Sequence, residues 1–183
     1  MPYHKTEIEG LWVFEPKVFE DSRGYFFESF NKNTFQENTG LNIDFVQDNE
    51  SKSVKGVLRG MHYQLNPMAQ AKLVRVLEGE VQDVAIDMRR ESPTYGKHFS
   101  INLSAQNRKQ LFIPRGFAHG FLVLSETAVF AYKCDNYYSK ENEGGLLWND
   151  THVGIDWQLE EKDLILSEKD NVAPSFDNAL NNF

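Results

Sequence analysis

The chain has 183 residues, of which 40% are hydrophobic, and a formal net charge of −8. This length is typical of one domain with its own core, and the hydrophobic content argues against a disordered chain. The acidic balance argues against a nucleic-acid-binding protein, which needs a basic face, although a few local Arg and Lys can hold a small anion in an acidic protein.

The first residues, MPYHKTEIEGLW, lack the apolar core of a signal peptide, and no run approaches the ~20 apolar residues that span a bilayer. Cys134 is the only cysteine, so no internal disulfide can form. We therefore expect a cytoplasmic protein without a membrane segment.

Short runs with the composition of β-strands dominate the chain, and most end at Gly, Pro, Asn or Ser. In chain order, the predicted strands are residues 24–30, 43–49, 56–64, 72–79, 80–89, 98–103, 110–114, 119–125 and 128–138. Gly79 lies between two of these strands and predicts a tight hairpin, while residues 89–98 (RRESPTYGKH) predict a longer hairpin loop.

Helix signals are few. Residues 31–41 (NKNTFQENTGL) predict a short helix with Asn33 near its N-terminus and Gly40 after its end, and residues 156–170 show only weak helical periodicity. Many short strands with little helix between them predict a sandwich or a barrel, and the mouth of a barrel can hold a ligand.

Charged side chains occur where a buried strand is expected. Alternation along residues 72–78 places Lys72 on the same face as Val74 and Val76, and Arg75 on the opposite face. Each face therefore either buries a charge or points it into a cavity.

His62 lies inside an apolar strand, and taken alone it is a core histidine with a satisfied hydrogen bond. Other polar side chains lie in or at the ends of the predicted strands: Arg59, Lys72, His119, Tyr132 and Lys133. Because each unpaired buried polar group is costly, several of them in one small β-domain favour a polar cavity.

Histidines on two strands are typical of metal sites in cupins, whose motifs run roughly G-x5-H-x-H-x3–4-E and P-x-G-x2-H. The second motif is present in PRGFAH, which ends at His119. The first is broken, because Gln64 replaces the second histidine and Lys72 takes the place of the glutamate. An ammonium repels a cation and is not a usual ligand, so the sequence predicts a site without a metal.

Acid–base chemistry fits these residues better than nucleophilic catalysis or phosphate-loop binding. No base can be assigned to Cys134, and the chain contains neither G-x-G-x-x-G nor G-x4-G-K-[ST]. Proton removal beside a ketone needs a base, an acid on the other side and a cation near the enolate oxygen. His62, Tyr132 and Lys72 can supply these groups, although a packed tyrosine with a surface hydroxyl is the alternative for Tyr132.

Several long segments resemble the dTDP-4-dehydrorhamnose 3,5-epimerase family. They are FEDSRGYFFESF, QDNESKSVKGVLRGMHYQ, KLVRVLEGEVQDVAIDMRRESPTYGK, FIPRGFAHGFLVLSE, YKCDNYYSKENEGGLLWND and LSEKD, from about Glu15 to Asp170. The resemblance implies an all-β fold, a cupin-type double-stranded β-helix (jelly roll) with a few short helices. It implies a single domain over residues 1–183, with a C-terminal extension from about residue 155.

The resemblance also implies a reaction and partners. The substrate is dTDP-4-dehydro-6-deoxy-D-glucose, epimerised at C3 and C5 to dTDP-4-dehydro-L-rhamnose without metal or other cofactor. It implies a homodimer in which an N-terminal strand crosses to the partner.

Residue roles follow by position. His62 matches the base, Asp170 the carboxylate that orients it, Tyr132 the acid on the opposite face, and Lys72 the residue that steadies the enolate. The matched diphosphate contacts are Arg59, Arg23 and Lys169, and His119 matches another substrate contact. Tyr138 matches an aromatic that stacks on thymine, and the remaining pocket or nucleotide contacts are Phe19, Phe26, Glu28, Gln47, Asn49 and Glu143.

One pair conflicts with simple alternation, which puts Arg59 and His62 on opposite faces of a strand. A bulge at Gly60 can bring both to one pocket. Arg23 lies in a turn-like DSRG segment, where an arginine is normally solvated unless it reaches across a dimer interface.

Other functions remain open at this point. A 3-epimerase or a 3,4-ketoisomerase acting on a related sugar nucleotide is the nearest rival. A cupin that binds a nucleotide sugar without catalysis and a metal dioxygenase are rivals from other classes.

Overall fold

The computed structural model describes residues 2–183, which form thirteen strands and two short α-helices. The strands are β1 Tyr3–Lys5, β2 Trp12–Phe14, β3 Phe19–Asp21, β4 Gly24–Phe26, β5 Gln47–Val54, β6 Leu58–Gln64, β7 Lys72–Glu78, β8 Glu80–Asp87, β9 His98–Ser104, β10 Gln110–Ile113, β11 Phe117–Val123, β12 Thr127–Cys134 and β13 Glu143–Gly145. The helices are α1 Lys32–Thr39 and α2 Glu168–Asn171, and 3₁₀ turns lie at Lys140–Asn142, Glu161–Asp163 and Phe176–Asn178. Within residues 2–183, no helix has the length and apolar character needed to cross a membrane.

The strands form two large antiparallel sheets and one small hairpin. The six-stranded sheet has the order β1-β2-β10-β7-β12-β5, and the five-stranded sheet has the order β13-β6-β11-β8-β9. The hairpin of β3 and β4 pairs with neither. This is the predicted cupin-type jelly roll, in which two sheets face each other across a shared interior.

Apolar side chains from both sheets fill most of this interior. Val74 and Val76 of β7 meet Val81 of β8, and the rings of Phe121 and Phe130 stack with centroids 4.2 Å apart. The predicted alternation along β7 is confirmed, since Val74 and Val76 lie in the core between the sheets.

Helix α1 covers part of the outer face of the six-stranded sheet. Asn31 caps it by accepting a hydrogen bond from the Thr34 amide, so the cap lies two residues before the predicted Asn33. Gly40 ends the helix in the left-handed conformation, as predicted. Phe35 is fully buried beneath the helix, edge-on to Phe112 at 5.0 Å.

The predicted tight hairpin at Gly79 is wrong. β7 lies in the six-stranded sheet and β8 in the five-stranded sheet, so the turn carries the chain from one sheet to the other. Gly79 has φ +78°, and a Cβ there would lie 2.0 Å from the Thr127 carbonyl oxygen. The loop at residues 89–98 does join a hairpin, because β8 and β9 pair antiparallel.

Several predicted boundaries are also wrong. The strand predicted at 43–49 begins at Gln47 and runs through the polar stretch to Val54, while the one predicted at 24–30 ends at Phe26. β11 starts two residues before the predicted 119, and β12 ends at Cys134 rather than at residue 138. Of the weak helix at 156–170, only a 3₁₀ turn and the start of α2 form.

The last part of the chain wraps around β6. Ile165 forms a parallel bridge with Val57, and the Tyr63 hydroxyl donates a hydrogen bond to the Leu180 carbonyl at 2.5 Å. The strand that carries His62 therefore lies between β13 and β11 in its sheet, and the C-terminal segment adds contacts at Val57 and Tyr63.

Candidate active site

A cavity of about 470 Å³ opens between the two sheets. Six of the residues singled out in the sequence line it: Arg59, His62, Lys72, His119, Tyr132 and Asp170. Lys133 does not, because it lies on the other side of the sheet and its Nζ donates to Asp48 Oδ1 at 2.9 Å. The polar strand residues therefore converge on one cavity, with Lys133 as the exception.

A bulge in β6 brings Arg59 and His62 to the same side of the sheet. His62 pairs with His119 of β11 and Arg59 pairs with Phe121, with a register shift between the two pairs. Gly60 lies in this bulge with φ +131°, and a Cβ there would lie 2.5 Å from the Gly120 Cα. The predicted bulge is confirmed, and only glycine fits this close approach of two backbones.

His62 is hydrogen-bonded to a buried carboxylate. Its Nε2 lies 2.6 Å from Asp170 Oδ1, the Asp170 side chain is 4% exposed, and that of His62 is 32% exposed. Burial opposes the charge of Asp170, but hydrogen bonds from His62 and Ser167 outweigh it and hold the pKa of Asp170 below its ordinary value. His62 is thus exposed to the cavity, which excludes the core-histidine alternative.

Tyr132 and Lys72 enter the cavity from the facing six-stranded sheet. The Lys72 Nζ lies 6.0 Å from the centre of the Tyr132 ring. Burial raises the pKa of Tyr132, so the phenol stays protonated at neutral pH. Burial lowers the pKa of Lys72, an effect that Cys134, Asp83 and Glu143 oppose.

His119 is bonded to Asp83, a carboxylate that the sequence reading missed. The His119 Nε2 lies 2.9 Å from Asp83 Oδ2, and both side chains are buried. The other oxygen, Asp83 Oδ1, has no hydrogen-bond partner among the described residues. The available signal in the sequence was a carboxylate at the centre of EVQDVAID, a segment with the composition of a strand.

The two cavity histidines are not arranged to bind a metal. Each directs its Nε2 at a carboxylate oxygen rather than towards the other. Within residues 2–183, no group of three or more His, Cys, Asp or Glu side chains could hold a metal ion. Lys72, whose ammonium repels a cation, also lines this cavity.

Comparison with known proteins assigns the chain to a family. A model of the dTDP-4-dehydrorhamnose 3,5-epimerase family matches residues 5–178. The chain belongs to this family. A dTDP-4-dehydrorhamnose 3,5-epimerase of Shigella flexneri is 58% identical over 166 residues, which cover 91% of each chain. The protein is therefore an enzyme of the isomerase class.

Solved structures of the epimerase family have the same fold. The enzyme from Elizabethkingia anophelis superposes with a TM-score of 0.94 at 57% identity, covering 96% of both chains. The enzyme from Legionella pneumophila, in complex with dTDP-4-keto-L-rhamnose, gives a TM-score of 0.92 at 48% identity and covers 96% of this chain and 93% of its own.

A second group of residues that the resemblance assigned to the substrate site forms a connected cluster at the start of β5. The Gln47 side chain accepts from the Tyr138 amide at 3.2 Å and donates to Asn49 at 3.0 Å. The Tyr138 hydroxyl donates to Glu143 at 3.3 Å, and Glu143 also pairs with Lys169. Gln47 of β5 pairs with Cys134 of β12, which in turn pairs with Lys72 of β7, so this cluster adjoins the cavity.

The remaining predicted epimerase residues lie outside the cavity. Phe19, Arg23 and Phe26 belong to the β3–β4 hairpin, where Arg23 is 87% exposed and pairs with Asp21. Glu28 follows the hairpin and accepts a hydrogen bond from Asn31. Within one chain, the structure does not bring these four residues to His62.

Proposed function

We propose that the chain epimerises dTDP-4-dehydro-6-deoxy-D-glucose at C3 and C5 to dTDP-4-dehydro-L-rhamnose, a step in dTDP-L-rhamnose biosynthesis. The observation that carries this proposal is that His62 and Tyr132 enter one cavity from opposite sheets, with Lys72 beside the phenol. The dTDP-4-keto-L-rhamnose bound to the Legionella pneumophila relative supports a substrate of this class.

His62 acts as the base. An ionised carboxylate can only accept hydrogen bonds, so Asp170 holds the imidazole proton on Nε2 and leaves Nδ1 unprotonated. Nδ1 removes the proton at C3 or C5, and the C–H electron pair moves towards the C4 carbonyl. The negative charge of Asp170 then stabilises the imidazolium that forms.

Lys72 stabilises the negative charge that develops on the C4 oxygen. A cation in a water-poor cavity has a stronger effect on such an oxygen than it has in bulk water. Burial lowers the pKa of Lys72, and an oxyanion next to the amine opposes this effect by favouring the protonated form. The ammonium thus supplies part of the polarisation that a metal supplies in other cupins.

Tyr132 completes the inversion by returning a proton to the opposite face of the ring. Its raised pKa keeps the hydroxyl proton in place until the carbanionic carbon accepts it. The enolate pair re-forms the C–H bond, and the carbonyl remains at C4. Solvent then returns a proton to the phenolate and removes one from His62.

The nucleotide binds along the rim of the same cavity. Arg59 contacts the diphosphate, for which its fork of donors is suited, and its Nε already donates to Ser53 at 3.1 Å. Lys169 is a second diphosphate contact, His119 contacts the sugar, and Tyr138 stacks on thymine. Gln47, Asn49 and Glu143 complete the nucleotide site.

The enzyme works as a homodimer with strand exchange, in which the β3–β4 hairpin of one protomer completes the site of the other. Phe26 is 68% exposed, and Phe19 and Tyr25 of the same hairpin are also exposed. Within residues 2–183, neither β3 nor β4 pairs with a large sheet, and β5 has β12 as its one strand neighbour. An apolar hairpin and a free strand edge are the two halves of a strand-addition interface.

Pairing the hairpin with the β5 edge of a second copy brings Arg23, Phe26 and Glu28 next to the nucleotide cluster. This accounts for their distance from His62 within one chain. The cytoplasm suits such an enzyme, because Cys134 is a free, buried thiol.

Deuterium exchange tests the chemistry. In D₂O, the wild-type protein incorporates deuterium at C3 and C5 and forms the L-rhamno product, as followed by NMR. His62→Ala abolishes both, whereas His152→Ala, which changes an exposed histidine, leaves both unchanged. A wild-type protein that exchanges neither carbon contradicts the proposal.

The same spectra separate the rivals. Exchange at C3 alone indicates a 3-epimerase, and a carbonyl that moves to C3 indicates a ketoisomerase. Thermal stabilisation by dTDP without exchange at either carbon indicates a binding protein. Metal analysis of the purified protein tests the dioxygenase alternative.

Mixing two inactive variants tests the composite site. A mixed dimer of His62→Ala and Arg23→Ala has one site with both residues intact and one site with neither. Unfolding and refolding the two variants together restores activity if Arg23 acts across the interface. No recovery from such a mixture, or a monomer in light scattering, contradicts strand exchange.

A further inference from the structure

Residues 165–170 bring Asp170 to His62 through a specific backbone connection. The Leu58 amide donates to the Ile165 carbonyl at 3.0 Å, and the Ile165 amide donates to the Gly56 carbonyl at 2.8 Å. The resulting bridge between Val57 and Ile165 is parallel, so the two segments leave it in the same direction. This places Asp170 beside His62 although they are 108 residues apart in sequence.

Ser167 then holds the carboxylate from the side opposite His62. Its hydroxyl donates to Asp170 Oδ2 at 2.9 Å, while Oδ1 accepts from His62 at 2.6 Å. The same Ser167 oxygen accepts from the Asp170 amide at 3.2 Å, which makes Ser167 the N-cap of α2. Both carboxylate oxygens are therefore occupied, and the group cannot rotate without losing a charge-assisted hydrogen bond.

We propose that Ser167 is a positioning residue for the epimerisation, which acts through Asp170 to orient His62. The inference rests on the proposed function, because it assigns a role in that reaction. Ser167 does not touch the reacting carbons in this role; it fixes the plane of the carboxylate and thereby the direction of the His62 ring. The capping sequence SEKD thus orients a catalytic side chain as well as starting a helix turn.

Three variants test this. Ser167→Ala removes the hydroxyl donor and Ser167→Thr keeps it. Ser167 is exposed at the wall of the cavity, which leaves space for the extra methyl group. Ser175→Ala is the matched control, because Ser175 precedes the 3₁₀ turn at Phe176–Asn178 and makes no side-chain cap. Thermal unfolding of all three verifies that each is folded.

We expect Ser167→Ala to lower kcat about tenfold, with KM within about twofold of wild type, since the lost bond is to an ionised group that acts in the chemical step. Ser167→Thr restores kcat to within about threefold, and Ser175→Ala leaves it unchanged. An unchanged kcat in Ser167→Ala, or an equal loss in the Thr variant or in Ser175→Ala, overturns the proposal.

A second readout does not depend on turnover. In ¹⁵N-labelled protein, the ring nitrogen signals of His62, assigned by their loss in His62→Ala, shift in Ser167→Ala and return in Ser167→Thr. If the wild-type protein shows no exchange at C3 or C5, the proposed function fails while these signals still decide the orientation of His62. Unshifted signals in Ser167→Ala overturn the positioning role.

Discussion

Replacing Asp170 by Asn tests how much the buried carboxylate contributes to catalysis. The substitution keeps the shape of the side chain but removes the charge that faces the imidazolium. At the observed 2.6 Å and an effective dielectric constant of about 20, the attraction between the two unit charges is about 6 kcal/mol. Because His62 is 32% exposed, solvent screening reduces this to about 3–5 kcal/mol.

This energy corresponds to a rate roughly 10²–10⁴-fold lower. An amide also offers N–H donors, which favour the His62 tautomer with its proton on Nδ1, the wrong nitrogen for the proposed base. Both effects act in the same direction. We therefore expect a loss of kcat with little change in substrate binding, because the imidazolium forms only during the reaction.

Deuterium incorporation at C3 and C5 measures the effect. Asp177→Asn is the matched control, because Asp177 forms an exposed pair with His152 at 3.6 Å in the same C-terminal segment, and its rate stays within about twofold of wild type. A rate for Asp170→Asn within tenfold of wild type refutes this account of the carboxylate. Near-UV circular dichroism verifies that the variant keeps its native packing.

Three further predictions follow from the same structure. Tyr132→Phe still exchanges protons on the His62 side but forms roughly 10²–10⁴-fold less inverted product, measured by NMR; undiminished product contradicts the acid role. Phe35→Ala lowers the unfolding free energy by about 3–5 kcal/mol and the melting temperature by roughly 6–20 °C, measured by calorimetry; a shift under 2 °C contradicts the importance of its cluster. Hydrogen bonds from Arg89 and two hydroxyls overcome burial and hold the pKa of Asp87 below its unfolded value of 3.8, so its contribution to stability is present at neutral pH and lost as the pH falls below about 4. Asp87→Asn therefore lowers the free energy of unfolding, measured in urea, by about 3–5 kcal/mol at pH 7 and by less at pH 3. An equal loss at both pH values contradicts the linkage.

Alternation and glycine chemistry were enough to predict much of the cavity wall. Alternation correctly grouped Lys72 with Val74 and Val76 but left open which face of β7 lines the cavity, and the conflict between Arg59 and His62 led to the bulge at Gly60. These inferences are local, since each depends on residues within one strand. The pairing of His62 with Asp170 came only from family resemblance, because 108 residues separate them.

The failures also have physical reasons. A glycine between two strand-like runs predicts a turn, but it does not determine whether the next strand joins the same sheet, so Gly79 was assigned to a hairpin. Asp83 and Ser167 were missed because their roles depend on partners in distant segments, His119 and Asp170. A pattern of periodicity contains no information on such contacts.

The predicted strand ended at residue 49, but β5 continues to Val54. The composition of β5 indicates how a sandwich of two sheets accommodates a reactive site. The inner face of the six-stranded sheet becomes more polar towards this edge. The inward residues in order are Val76, Val74 and Lys72 of β7; Ala128, Phe130 and Tyr132 of β12; and Ser53, Ser51, Asn49 and Gln47 of β5. A search for alternating apolar residues cannot find a strand of the last type, because its inner face is in contact with the cavity and not with the core.

Residues that stabilise the fold and residues that act in catalysis therefore occupy different parts of the same interior. The apolar residues of β7 and β12 pack against the facing sheet and supply the burial that stabilises the fold. The polar residues that line the cavity, Lys72 and Tyr132 among them, bury less apolar surface than these residues do, so they can be chosen for chemistry. Substitutions of Lys72 or Tyr132 should therefore reduce activity far more than stability, whereas truncation of Val74 or Phe130 should do the reverse.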